Sequence, residues 1–239
     1  MAKTILHKAA TRGHADHGWL NSHHTFSFAN YYNPERMQFG ALRVLNDDIV
    51  AGGRGFDAHP HDNMEIISIP LAGALEHKDN LGNTVITKAG EIQVMSTGTG
   101  VFHSEYNANA DLPAHFLQIW LFPNQLNVSP RYDQVTIDIN SRLNHLQQLI
   151  SPDPKGAGTW LYQDAWFHMG RFNKGGQTTY DIKKQGNGVY FFVIRGNFII
   201  NGQELETSDG YGVEDTDRFS IVSQDEDACL LVVDVPLFS

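Results

Sequence analysis

The stretch GRGFDAHPHDNMEIISIPLAG, residues 53–73, places two histidines two positions apart and runs directly into an apolar, β-branched segment. In a strand, side chains at i and i+2 leave the same face, so His59 and His61 aim together. Farther along, STGTGVFHSEYN, residues 96–107, repeats the arrangement with His103 and Glu105, again two apart and framed by glycines. An isolated His-x-His pair is commonly ordinary surface or core histidine. A second pair of the same period, at a separation that a hairpin can close, turns the balance toward a metal site. If both faces line one barrel interior, His59, His61, His103 and Glu105 converge as ligands. Three neutral imidazoles and a carboxylate suit Fe, Mn, Ni, Cu or Zn rather than Mg or Ca, which take all-oxygen shells.

Outward from this core the chain reads as strands. ALRVLN at 41–46, EIISIPL at 65–71, EIQVMS at 91–96 and FLQIWLF at 116–122 are short, β-branched or aromatic, and bounded by turn residues. LAGAL at 71–75 and DNLGN at 79–83 carry hairpin signals, so neighbouring strands are expected to be antiparallel. Residues 126–160 interrupt the pattern with Pro- and Gly-rich segments, and SRLNHLQQLI at 141–150 is expected to form a short helix. Strands resume with VYFFVIRGNFIINGQEL at 189–205, RFSIVS at 218–223 and ACLLVVDVP at 228–236. The segments around Gly73 and Gly196 share an order of apolar strand, glycine turn and second strand, which suggests two copies of one unit. The expected architecture is all-β, with an N-terminal unit at 1–125, a connection at 126–160 and a second unit at 161–239. Closing each sheet into a barrel removes edges that would otherwise seek partners.

Composition narrows the function. Seventeen Lys plus Arg against 27 Asp plus Glu give a formal charge of -10, which disfavours direct binding to phosphate backbones. The single cysteine, Cys229, lies in an apolar run, so it reads as a buried thiol and excludes an intrachain disulfide. With neither a signal-like apolar stretch at the start nor a window long enough to span a bilayer, the expectation is a cytoplasmic protein without membrane association. STGTG lacks the lysine of a phosphate loop, and the serines beside histidines, Ser22 and Ser104, lack a nucleophile-elbow pattern. His14 and His17 read as structural. His23 and His24, being adjacent, must face opposite ways, so at most one can join the metal pocket.

These residues resemble the pirin family of cupins. Gly53, His59, His61 and Glu65 occupy the places of the first cupin motif, with Gly73 one position later than usual; Gly100, His103 and Asn107 resemble the second, with Gly98 where a proline is customary. RGHADHGWLNSHHTFSFANYYNP at 12–34, ALRVLNDD at 41–48 and LQIWLFP at 117–123 extend the likeness. The resemblance implies two tandem cupin barrels, with one divalent metal, Fe(II) foremost, held in the first by His59, His61, His103 and Glu105. It also implies that Glu65 is not a ligand and that the second barrel has none, His145 and His168 standing alone. Bacterial members are associated with quercetin 2,3-dioxygenase activity, which opens the central ring of a flavonol with dioxygen and releases carbon monoxide. Glu105 is then expected to serve also as general base, with His24, Phe28 and Trp120 in the substrate pocket. The eukaryotic members imply an alternative, a redox-responsive regulatory protein that binds a partner without turnover. A third possibility, a cupin acting on a small polar substrate, requires a pocket lined by Arg and Lys, for which Arg43 is the one candidate near the metal half.

Overall fold

Alternation of side chains along each strand decides how this chain layers. A computed structural model of the protein describes residues 2–138 and 143–238. The first half supplies β1 (Lys3–His7), β2 (Gly13–Asp16), β3 (Leu20–His24), β4 (Leu42–Val50), β5 (Gly55–His61), β6 (Glu65–Ala72), β7 (Ala74–Asp79), β8 (Thr84–Lys88), β9 (Glu91–Ser96), β10 (Val101–Asn107), β11 (Ala114–Leu121) and β12 (Arg131–Thr136). The second supplies β13 (Gln147–Ser151), β14 (Thr159–Trp160), β15 (Trp166–Phe172), β16 (Gln177–Asp181), β17 (Asn187–Arg195), β18 (Phe198–Ile200), β19 (Gln203–Leu205), β20 (Gly210–Glu214), β21 (Arg218–Ser223) and β22 (Ala228–Pro236). A seven-stranded sheet, β12-β9-β6-β11-β4-β3-β2, faces a four-stranded one, β5-β10-β7-β8. The second barrel repeats the plan with β1-β20-β17-β22-β15-β13-β14 and β16-β21-β18-β19. The fold is two tandem cupin barrels. Of the ladders joining these strands, the one between β13 and β14 is parallel and the others are antiparallel.

The two large sheets stand back to back. Leu117, Ile119 and Leu121 of β11 share one apolar cluster with Phe167, Phe192, Leu231 and Val233 from the other barrel. The opposite faces diverge in chemistry. In the second barrel, Phe172, Phe191, Phe198 and Phe219 are fully buried between its two sheets. Each such side chain stabilises the fold by about 2 kcal/mol relative to exposure. In the first barrel the corresponding face carries buried Asn46, Ser68, Gln93 and Gln118. One copy is thus packed as a core, and the other keeps a polar interior.

The glycines that mark the repeat do a different task from the one expected at LAGAL. Gly73 and Gly196 take positive φ, 74° and 80°. The flanking strands do not pair as hairpins: β6 lies in the large sheet and β7 in the small one, and β17 and β18 divide likewise. Each glycine turns the chain from one sheet to the other, in a space where a Cβ at Gly196 would stand 2.8 Å from the Ala228 Cβ. DNLGN does form a hairpin, joining β7 to β8 with Gly82 at positive φ.

Strand pairing crosses the boundaries expected at 125 and 160. β1 lies at the edge of the second barrel's sheet, beside β20, just as β12 lies beside β9 in the first. The expected connection therefore contributes β12 to the first sheet and β13 and β14 to the second. Its Pro and Gly content conceals strands that are held by neighbours already in place. The helix expected over 141–150 is replaced in part by β13, which pairs with β15; Ser141 and Arg142 lie outside the described residues. Pairing to a preformed sheet outweighs the weak local preference for helix. No helix among the described residues is long and apolar enough to cross a membrane.

Candidate metal centre

β5 and β10 pair antiparallel with His103 directly opposite His59. The register slips between His103 and Glu105, a bulge of the kind that re-aims side chains at functional sites. The three imidazoles of His59, His61 and His103 converge, with ring centroids 4.5 to 5.1 Å apart. Their candidate ligand atoms all lie within 4.8 Å of one another. Glu105 forms a second such group with His103 and His77, so His103 is shared by both.

The surrounding hydrogen bonds fix which nitrogens are free. His59 donates its Nδ1–H to the carbonyl of Asp57 at 2.7 Å, which leaves Nε2 with a lone pair. His77 Nε2 lies 2.9 Å from Asp79 Oδ2, and its Nδ1 lies 3.4 Å from Nδ1 of His103. Asp79, supported by Asn83 and the backbone N–H of Leu81, accepts from His77 Nε2–H. His77 Nδ1 is then an acceptor, His103 Nδ1 carries the proton, and His103 Nε2 has a lone pair. That Nε2 is buried without a hydrogen-bond partner. His77, with both nitrogens engaged and its ring stacked on Tyr132 at 4.6 Å, supports the cluster rather than ligating.

Protonation agrees with this arrangement. Burial, reinforced by the neighbouring imidazoles, pulls His61 down to about 4 and His103 to about 3. Both are neutral near pH 7, the state in which imidazole ligates. The Glu105 carboxylate, buried, accepts from Gln93 Nε2 at 2.7 Å and Ser68 Oγ at 3.1 Å on Oε1, and from Gln118 Nε2 at 2.7 Å on Oε2. Three of its roughly four acceptor positions are taken, leaving about one on Oε2. Convergent lone pairs, an orphaned buried nitrogen and an anchored carboxylate fit a single divalent transition metal.

A cavity of ≈ 190 Å³ adjoins the cluster, with His59 and Glu105 on one side and His24, Phe28, Asn46 and Asp48 on the other. Trp120 stands between His61 and Phe28, at 4.8 and 5.4 Å between ring centroids. His24 faces the cavity, whereas His23 faces outward and stacks on His14, as strand alternation requires. His17, read as structural, lies on the cavity wall. Arg43 donates to the carbonyls of Ser27 and Met37, and no lysine or arginine lines the cavity among the described residues. Glu65 sits on the face of β6 that looks toward the other barrel, accepting from Ser96 Oγ at 2.7 Å. Its burial pushes it up to about 7.

Sequence reasoning passed over His77, Asp79, Ser68, Gln93 and Gln118. The available signal was polarity where a strand should be apolar: glutamine inside EIQVMS and FLQIWLF, and His77 and Asp79 at i and i+2 of β7.

The pirin family profile matches residues 6–121, and a quercetinase C-terminal cupin domain profile matches 148–235. A quercetin 2,3-dioxygenase of Escherichia coli K12 is 43% identical over 231 residues, 97% of this chain and 98% of that protein. The crystal structure of E. coli YhhW superposes with a TM-score of 0.93 at 42% identity, covering 99% of each chain. A second structure of that bacterial pirin, in complex with nickel(II), gives 0.92 at 42% identity over 99% of this chain and 100% of that one. Likeness across both barrels, carried by motifs that meet at one cluster of imidazoles, makes this chain a member of the pirin family.

Proposed function

We propose that this protein is a metal-dependent dioxygenase that opens the central ring of flavonols such as quercetin, consuming one dioxygen and releasing one carbon monoxide. The observation that carries this is the buried, unpartnered Nε2 of His103 converging with His59 and His61 beside a cavity walled in part by Phe28 and Phe56, with no lysine or arginine on it among the described residues. The name of the E. coli relative supports the same reaction. An anionic small substrate would need the basic lining that this cavity lacks.

In this reading His59, His61, His103 and Glu105 hold one divalent metal, Fe(II) foremost. When bound, such an ion supplies Lewis acidity toward a chelating hydroxy-ketone edge and a redox route to dioxygen. The protein contributes position and proton transfer. Asp57 and the Asp79–His77 pair orient His59 and His103. Glu105 has about one acceptor position left, on Oε2, so it takes the proton of the flavonol hydroxyl there on loosening as a ligand. Phe28, on the cavity wall and backed by Trp120, packs against the flat ring system and keeps water from it.

The test loads the purified protein with Fe, Mn, Ni or Cu and mixes it with quercetin under air. Loss of flavonol absorbance with stoichiometric carbon monoxide is expected with at least one metal; absorbance loss without carbon monoxide, or none with any metal, rejects the assignment.

A further inference from the structure

One row of directly paired residues crosses six strands on the cavity face of the first barrel's large sheet: His24, Asn46, Gln118, Ser68, Gln93 and Gln134. Polar side chains are costly in such a place unless each finds a partner. The last four do. Ser68 shares its one hydroxyl proton between Gln118 at 2.9 Å and Glu105 at 3.1 Å, Gln93 donates to Ser68 at 3.0 Å, Gln134 donates to Glu91 at 3.0 Å, and Gln93 and Gln118 also hold Glu105. The first two differ. His24 and Asn46 are 3% and 2% exposed, yet His24 Nδ1 and Asn46 Oδ1 have no hydrogen-bond partner. Both line the cavity that also contains His59 and Glu105. Phe28 packs its edge on His24, with ring centroids 5.3 Å apart.

We infer that His24 and Asn46 form a second subsite that binds a phenolic hydroxyl of the substrate, on a ring remote from the edge that meets the imidazole cluster. This rests on the flavonol reading above and adds to it which part of the molecule the protein recognises. A hydroxyl both donates and accepts, so it serves the Asn46 amide in either orientation and completes His24 Nδ1 in either tautomer. A carboxylate or phosphate is disfavoured there, because Asp48 and Glu105 line the same cavity and, among the described residues, no lysine or arginine does. The rings of Phe28 and Phe56 on the cavity wall match a planar aromatic body. The ligand class is therefore a polyphenol with a hydroxy-ketone edge and at least one further hydroxyl.

The test measures equilibrium binding without oxygen, by quenching of tryptophan fluorescence in the zinc-loaded full chain. Quercetin is compared with 3-hydroxyflavone, which keeps the hydroxy-ketone edge and lacks the remote hydroxyls. The unmodified chain is expected to prefer quercetin by about tenfold, the effect of one buried neutral hydrogen bond. Asn46→Leu and His24→Phe should bring that ratio within about twofold while leaving 3-hydroxyflavone affinity within about threefold. Variants that retain the full preference, or that weaken both ligands equally, overturn the subsite and leave the proposed reaction standing; failure of both flavonols to bind the unmodified chain overturns both. Because a change in this wall can unfold the barrel, the unmodified chain is also titrated with quercetin derivatives methylated at one remote hydroxyl at a time. One member is expected to lose about tenfold. A flat series means that water satisfies the pair, and it removes the proposal.

Discussion

His103 and His77 face each other nitrogen to nitrogen, Nδ1 to Nδ1 at 3.4 Å, and His77 passes the hydrogen bond on to Asp79. This chain sets the tautomer of His103 and aims its lone pair at the cluster. Replacing His77 by Phe keeps a ring over Tyr132 but removes both nitrogens. Metal affinity should fall by about 10- to 100-fold, the usual cost of losing a group that orients a ligand. Competition against a chelating dye measures it, and an unchanged affinity would show that His77 merely fills space.

Glu105 is held by three donors, so its substitution separates charge from placement. Glu105→Gln retains the shape and forfeits both the anionic ligand and the proton acceptor. Turnover of quercetin should drop by about 10²- to 10⁴-fold. Steady-state kinetics on protein matched for bound metal decides the matter, and near-normal turnover would transfer the base to another group.

Glu65 predicts a pH dependence of stability separable from the metal cluster. Its carboxyl is raised from 4.5 to about 7 by burial, so the folded chain keeps a proton that the unfolded chain releases in that window. Stability from this group is fully present below pH 4.5 and is lost as pH rises through about 7. Glu65→Gln keeps an acceptor for Ser96 and carries no charge. Its advantage over the unmodified chain should grow from near zero at acid pH to on the order of 2 kcal/mol at pH 9. Urea unfolding at a series of pH values tests this, and a constant difference would contradict it.

Gly196→Ala probes the corner between sheets. The residue sits at φ 80° with the Ala228 Cβ 2.8 Å from where a new Cβ would lie. A cost of about 2 kcal/mol or more is expected from left-handed backbone and overpacking together. A thermal midpoint that does not move would mean that the corner relaxes freely.

The strands and the convergence of His59, His61 and His103 were legible in the residues because both depend on a local rule, the two-residue alternation of a strand. It put His59 with His61, His103 with Glu105, and His23 opposite His24. What no local rule contains is which strands become neighbours. Ser68, Gln93 and Gln118 support Glu105 from three different strands, and His77 reaches His103 across a fourth pairing. The seating of β1 in the second barrel's sheet, and the use of Gly73 to leave a sheet rather than fold back along it, are likewise products of pairing between distant segments. Composition and spacing therefore specify the faces of the strands, while the closure of the sheets decides which faces meet, because hydrogen-bonded pairing and burial are gained only when segments far apart in sequence come together.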